Sequence, residues 1–197
     1  MMLIQVMQML SLKLILCWKG IIDIINLKAT LTAKIPEDWK TFKPGTGNFM
    51  VQVPPNREFI NEILEVDNIS LHTYYDSQAK DRSYGIVYYD QAAEPAAGPD
   101  VLQGLLNRRR EGWLLFIKGR LMKEHNVFLG NYPGREVIVE AKYNGLPCKI
   151  KARFYLVYNR FYQIETWIPR DETFTPEIDA FLQSLALLEK ILFESRV

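Results

Sequence analysis

The chain has 197 residues, 48% hydrophobic and 24% charged, with 24 Lys+Arg against 23 Asp+Glu for a net charge of +1. That length suits one packed domain with an appendage, and the composition excludes a disordered tail, a collagen, a coiled coil and a disulfide scaffold. The charge balance argues against nucleic acid as a partner, and two cysteines (Cys17, Cys148) outside any CxxC pair, with two histidines (His72, His125), leave no ligand set for a Cys/His zinc site.

Residues 1–27 are mostly apolar, with Gln5, Gln8, Lys19, Asp23 and Asn26 on one face at helical spacing and Lys13 off that face. This predicts an amphipathic helix, bent near Gly20. Lys13, Lys19 and Asp23 interrupt the roughly 20 apolar residues that a spanning helix needs. No positive start precedes the apolar run, as a signal peptide would require. Leu14-Ile15-Leu16-Cys17 approaches a lipoprotein box but has Leu16 where a small residue belongs. Three readings stand: a helix docked on the domain or a partner, a degenerate export or anchoring segment giving membrane contact through residues 1–27, and a start codon assigned too far upstream. The expected organisation is this segment over 1–28, a linker over 29–47 rich in turn residues (Pro36, Pro44, Gly45, Gly47), and a domain over 48–192.

From Phe49 the pattern has period two: Phe49, Val51 and Val53 point one way, Met50 and Gln52 the other, until Pro54-Pro55. Residues 59–66 fit a short helix or a strand, and the alternating neighbours favour a strand. Residues 69–75 and 83–89 are rich in Tyr, Val and Ile, which suit a pleated surface, and complete an antiparallel meander. A helix is expected over about 99–118, with Val101, Leu102, Leu105, Leu106, Trp113, Phe116 and Ile117 on its apolar face and Gly119 as a left-handed stop. Four strands follow over 121–129, 136–143, 148–158 and 160–168, with turns at Asn144-Gly145 and Asn159-Arg160. Thr175-Pro176-Glu177 opens a last helix with a hydroxyl cap, its stripe being Ile178, Phe181, Leu182, Leu185 and Leu188. The fold class is α+β, an antiparallel sheet clad by helices.

Chemistry-bearing motifs are weak. There is no dinucleotide fingerprint, phosphate loop, zinc-protease helix or nucleophile elbow, so no catalytic residue, cofactor or metal is assigned. Pro44-Gly45-Thr46-Gly47-Asn48 precedes a strand rather than a helix, and reads as a turn. Arg108, Arg109 and Arg110 form the densest positive run, a candidate anion or acidic-partner site set against a plain solvated helix face balanced by Glu111 and Glu124. Cys148 reads as a buried structural thiol, since nothing in the sequence supplies the base that would ionise it. His72 and His125 read as cross-strand or surface residues, and the scattered carboxylates match no calcium loop. The strand tyrosines suit either a partner-binding face or a core with hydroxyls at its rim. Asn131-Tyr132-Pro133-Gly134-Arg135-Glu136 reads as a tight Pro-Gly turn or bulge from which Arg135 and Glu136 emerge side by side, Arg135 bracing it against a distant carboxylate. Tyr132, Arg135 and Glu136 join the three arginines as candidate binding residues.

At that phrase the sequence resembles a known group. The pieces are Trp39 and Phe42 before Gly47-Asn48-Phe49, then Val51-Gln52-Val53-Pro54, Tyr74-Tyr75, and Val87-Tyr88-Tyr89-Asp90. They continue with Tyr132-Pro133-Gly134-Arg135-Glu136, Arg153-Phe154-Tyr155-Leu156-Val157, Arg160-Phe161-Tyr162 and Phe181-Leu182-Gln183-Ser184-Leu185. Over residues 39–188 this is similar to mostly uncharacterised bacterial domains, frequent in cyanobacteria, that look like the PsbP extrinsic subunit of photosystem II. The resemblance implies an α/β/α sandwich around a central antiparallel sheet. It also implies a non-enzymatic binding or assembly role with a protein partner, often on the lumenal side of the photosynthetic membrane. The same architecture serves a nuclear-transport Ran-binding factor, so the fold does not name the partner. The alternative is a small-ligand binder or enzyme with a site near Tyr132–Glu136, drawing on His125 or Cys148.

Overall fold

The computed structural model describes residues 34–66, 68–76, 82–91 and 99–188, and the expected N-terminal helix lies outside them. Alternating side chains from Phe49 onward give extended chain, and tight turns fold it back on itself. The strands are β1 (Lys40–Phe42), β2 (Phe49–Val53), β3 (Phe59–Val66), β4 (Ile69–Asp76), β5 (Ser83–Asp90), β6 (Arg120–Leu129), β7 (Tyr132–Tyr143), β8 (Leu146–Val157), β9 (Arg160–Pro169) and β10 (Ala186–Leu187). Two helices interrupt them, α1 (Pro99–Phe116) and α2 (Pro176–Gln183). A seven-stranded antiparallel sheet runs β3-β4-β5-β9-β8-β7-β6, and a small sheet runs β1-β2-β10. The strand β1 lies inside the stretch whose turn residues suggest a linker, where Lys40 pairs with Val53 and Phe42 with Val51.

The central strands bury both faces, so each supplies two cores. On one face Tyr84, Ile86 and Tyr88 of β5, Tyr155 and Val157 of β8, and Tyr162, Ile164 and Ile168 of β9 pack with Phe49, Val51 and Val53 of β2 and with Ile178, Phe181 and Leu182 of α2. On the other, Ile150, Ala152, Phe154 and Leu156 of β8 and Val137 and Val139 of β7 pack with Leu105 and Leu106 of α1. Each face thus carries one helix, and the second shares its face with the small sheet. The molecule is accordingly richer in sheet than the α/β/α sandwich expected from the resemblance.

Several local expectations change in the structure. Val101 and Phe116 are exposed, while Leu114 packs inward with Trp113, whose ring meets Phe154 at 5.2 Å. The left-handed residue after α1 is Lys118 (φ 51), not Gly119. Gly119 is required by space instead, since a Cβ there would lie 2.6 Å from Val139 Cγ1. Thr175 occupies the N-cap of α2 in extended backbone, but its hydroxyl makes no cap hydrogen bond. The helix α2 stops at Gln183, where Ser184 Oγ donates to Phe181 O at 2.7 Å, and Leu188 lies beyond β10 with its N–H on Asn48 O at 2.9 Å. Asn144 and Gly145 form the β7–β8 turn at φ 51 and 81. Both central residues of a type I′ hairpin turn require positive φ.

Candidate functional site

Within the phrase 131–136 only Asn131 lies in a turn, and Tyr132 to Glu136 are strand. The reversal falls at Gly130 (φ 59) and Asn131, so Tyr132, Pro133 and Gly134 open β7. Gly134 is there because a Cβ would lie 2.4 Å from Phe154 O and 2.5 Å from the Tyr155 ring, an approach only glycine permits. Because strand residues alternate, Arg135 and Glu136 leave opposite faces rather than emerging side by side.

On the α2 face lie Tyr132 and Glu136. Glu136 is 3% exposed. Its Oε2 accepts from Arg153 Nε at 2.6 Å across the β7–β8 pair, and its Oε1 lies 3.3 Å from Lys151 Nζ. Burial would raise its pKa, but Arg153 and then Lys151 outweigh that and hold it below the usual carboxylate range. Lys151 also pairs with Asp179 of α2, and Arg153 Nη1 donates to Leu182 O at 3.3 Å. The cluster therefore ties the sheet to the end of α2. Half-exposed His125, opposite Glu136 in register, brings Nε2 within 3.5 Å of Glu136 Oε1. The Tyr132 ring packs edge-on against Tyr158 at 5.5 Å, and burial followed by Tyr158 pushes its pKa up to about 12.

On the α1 face lies Arg135. Its Nε is 3.1 Å from Glu124 Oε1, and its terminal nitrogens donate to Asn126, Gln103 and Asn107. Arg110 reaches the same carboxylate at 2.5 Å and also pairs with Glu111 at 3.0 Å. Arg135 does pair with a carboxylate, but it braces no turn: the contact links α1 to β6 and β7. Arg109 turns away to donate to Gln91 Oε1 at 2.8 Å, with its guanidinium 5.3 Å over the Tyr89 ring. Arg108 is exposed and meets no ionic partner among the described residues. The run 108–110 is therefore three separate side chains, because successive helix residues turn by about 100°.

Sequence reasoning missed Arg153, Lys151 and Asp179, whereas Glu111 and Glu124, named as the balance of the arginine run, both pair with Arg110. The signal was present: in β8, Lys149, Lys151 and Arg153 alternate with Cys148, Ile150 and Ala152, so the cations share a face that needs carboxylates. The thiol and imidazoles do not meet. Cys148 pairs with Ala141 and His125 with Glu136, which puts about 17 Å of β7 between them. Burial pushes the Cys148 thiol up. His72 stacks on Tyr88 at 4.6 Å. A further carboxyl, Glu165 on the α1 face, accepts from Trp167 Nε1 at 2.8 Å and from Gln163 Nε2 at 2.5 Å. No cation pairs with it among the described residues, and burial raises its pKa.

No protein-family model matches the chain, and no curated protein matches it. Solved structures do. The cyanobacterial PsbP (CyanoP) of Synechocystis aligns over 77% of this chain and 94% of its own, with a TM-score of 0.53 and 7% identity. A Bacteroides thetaiotaomicron protein aligns over 78% of this chain and 50% of its own (TM-score 0.49, 13% identity). The Saccharomyces cerevisiae Ran-binding protein Mog1p aligns over 77% and 96% (TM-score 0.45, 14% identity). The chain has a PsbP-like fold. At 7% identity to CyanoP the fold is what is shared.

Proposed function

We propose that the domain is a non-catalytic binding module that holds a protein partner, in the manner of an assembly factor for a larger, membrane-associated complex. The observation that carries this reading is the state of Glu136. A working acid or base needs a face open to substrate, whereas Glu136 is 3% exposed with both oxygens engaged by Arg153 and Lys151. Arg135 and Arg110 are likewise consumed by Glu124. A small-ligand role for Tyr132–Glu136 finds less support, since its two charged residues face opposite sides of the sheet.

The open surface lies at the edge of the sheet. In β3, Ile60, Ile63, Leu64 and Val66 are 43–53% exposed, on both faces of a strand that among the described residues pairs only with β4. Such an edge is a template for adding a partner strand, whose main chain supplies affinity and whose side chains supply specificity. Glu62 and Glu65 on the same strand favour a partner segment that is basic as well as apolar. Affinity capture from the native source with wild type and Ile63→Lys tests this. A partner retained by wild type and lost from the variant supports the reading, and equal recovery by both refutes it.

A further inference from the structure

A second exposed surface lies at the end of the sheet where α1 stops and the β7–β8 hairpin turns. Leu115 and Phe116 close α1 at 79% and 84% exposure, and Tyr143 and Leu146 flank the hairpin tip at 61% and 72%. Leu115, Phe116 and Leu146 stand largely in water, and Tyr143 keeps one edge on the Trp167 ring at 5.4 Å. Gly119 packs against Val139 of β7, which lies about 13 Å along the strand from the Tyr143–Leu146 pair. Arg170 joins the same end, its N–H on Pro147 O at 3.2 Å.

The exposed charges at this end are mainly positive and lie on both sides of the sheet: Lys142 and the Glu140 partners Arg120 and Arg170 stand on the α2 face, Tyr143 and Leu146 on the α1 face, so an end-on approach brings both sets to one plane. Lys118 follows Phe116, Lys142 precedes Tyr143, and Arg120 and Arg170 stand beside the hairpin, 68% and 61% exposed. Against them are Glu140, which lies 2.7 Å from Arg120 and 3.7 Å from Arg170, and the exposed Asp171. Lys118 and Lys142 have no ion-pair partner among the described residues, so their charge is uncompensated.

We infer that this end of the sheet seats on an anionic bilayer surface: Leu115, Phe116, Tyr143 and Leu146 enter the headgroup layer while Lys118, Lys142, Arg120 and Arg170 lie against the lipid phosphates. Protruding apolar side chains ringed by cations are the pattern of interfacial binding, in which hydrophobic insertion and attraction to anionic lipid add. A fluid bilayer receives projecting side chains without a matching groove, which favours lipid over a folded protein surface. Among the described residues no helix is long and apolar enough to cross a membrane, so this contact is peripheral. It does not depend on the edge strand β3 or on the function proposed above.

The full-length chain, residues 1–27 included, is co-sedimented with vesicles of phosphatidylcholine alone and of phosphatidylcholine mixed with phosphatidylglycerol. Wild type is expected on the mixed vesicles, released by added salt. Leu115→Ser/Phe116→Ser and, separately, Lys118→Glu/Lys142→Glu are each expected to lower the bound fraction roughly tenfold. Both pairs change exposed groups, and an unchanged circular dichroism melt verifies that the variants fold. In Phe116→Trp, brominated lipid is expected to quench the added fluorescence. No binding by wild type overturns the inference, as does equal binding by wild type and both pairs, which would assign the contact to residues 1–27. Binding without quenching of Trp at position 116 overturns the inserted geometry.

Discussion

Arg135 and Glu136 are chain neighbours whose side chains serve different layers: Arg135 holds α1 through Glu124, and Glu136 holds α2 through Arg153 and Lys151. Groups on opposite faces with no shared partner contribute independently. Urea unfolding of Arg135→Ala, Glu136→Gln and the double variant is expected to give additive losses within about 0.5 kcal/mol. The pair Glu136→Gln and Arg153→Met is expected to couple by about 1 kcal/mol or more. Arg153→Met alone costs roughly 3 kcal/mol, because it strips a buried carboxylate of its nearest cation. Strong coupling between positions 135 and 136 would contradict the two-sided arrangement.

Two carboxyls of the central sheet, Glu136 buried and Glu165 partly buried, give stability opposite pH dependences. Glu136 is held below its unfolded pKa of about 4.3, so its contribution is present above that pH and is lost as pH falls through the folded value. Glu136→Gln should therefore lower stability at pH 7 and flatten the acid limb. Glu165 is raised by burial, so its favourable contribution is complete below about pH 4.3 and is lost as pH rises through the folded value. Glu165→Gln should match or exceed wild type at pH 7 and lose that advantage below pH 4.3. Urea midpoints across pH 3 to 8 read both effects, and a Glu165→Gln midpoint below wild type at neutral pH would refute the second.

Two glycines should respond with opposite sign to the same change. In Gly134→Ala the new methyl meets the Phe154 carbonyl and the Tyr155 ring, so a loss of about 3 kcal/mol or failure to fold is expected. In Gly104→Ala, within α1, nothing lies within 4 Å of the added Cβ. There the gain should be about 0.5–1 kcal/mol from helix propensity. Thermal melts of the two variants decide this, and equal shifts would remove the stated role of Gly134.

Asp90 and Arg160 face each other across the β5–β9 seam, with Nε and Nη2 at 2.5 and 2.6 Å from the two carboxylate oxygens and the guanidinium 5.1 Å over the Tyr88 ring. The geometry is bidentate, but Asp90 is exposed, so Asp90→Asn should cost only about 0.5–1 kcal/mol, less at high salt. A salt-independent loss would point instead to packing.

The strands were legible because nearly every one announces itself through alternation, and both faces of β8 and β9 carry residues that suit a core. What was not legible depends on distant chain. Pro133-Gly134 carries turn chemistry, yet its glycine answers to the Tyr155 ring on another strand, while the actual turn was marked by Gly130. Phe116 fits the apolar spacing of α1 but stands 84% exposed in its last turn. The end of α2 was hidden because Leu185 and Leu188 continue its apolar stripe, whereas the chain leaves the helix at Ser184 and pairs with β2 through Ala186 and Leu187. Of the candidate site, the residue types were visible but their partners were not, since pairing across strands is set by register.

The strand order has a consequence for how the chain assembles. Each meander, β3–β4–β5 and β6–β7–β8–β9, pairs strands that follow one another in the chain, but the seam joins Ser83 to Trp167 and Asp90 to Arg160. Loop closure makes such distant pairing slow. During synthesis β5 leaves the ribosome long before β9 exists, and it waits with Val87 and Tyr89 on a bare edge. That interval, rather than the finished molecule, is where this chain is most exposed to mispairing and to the need for a chaperone.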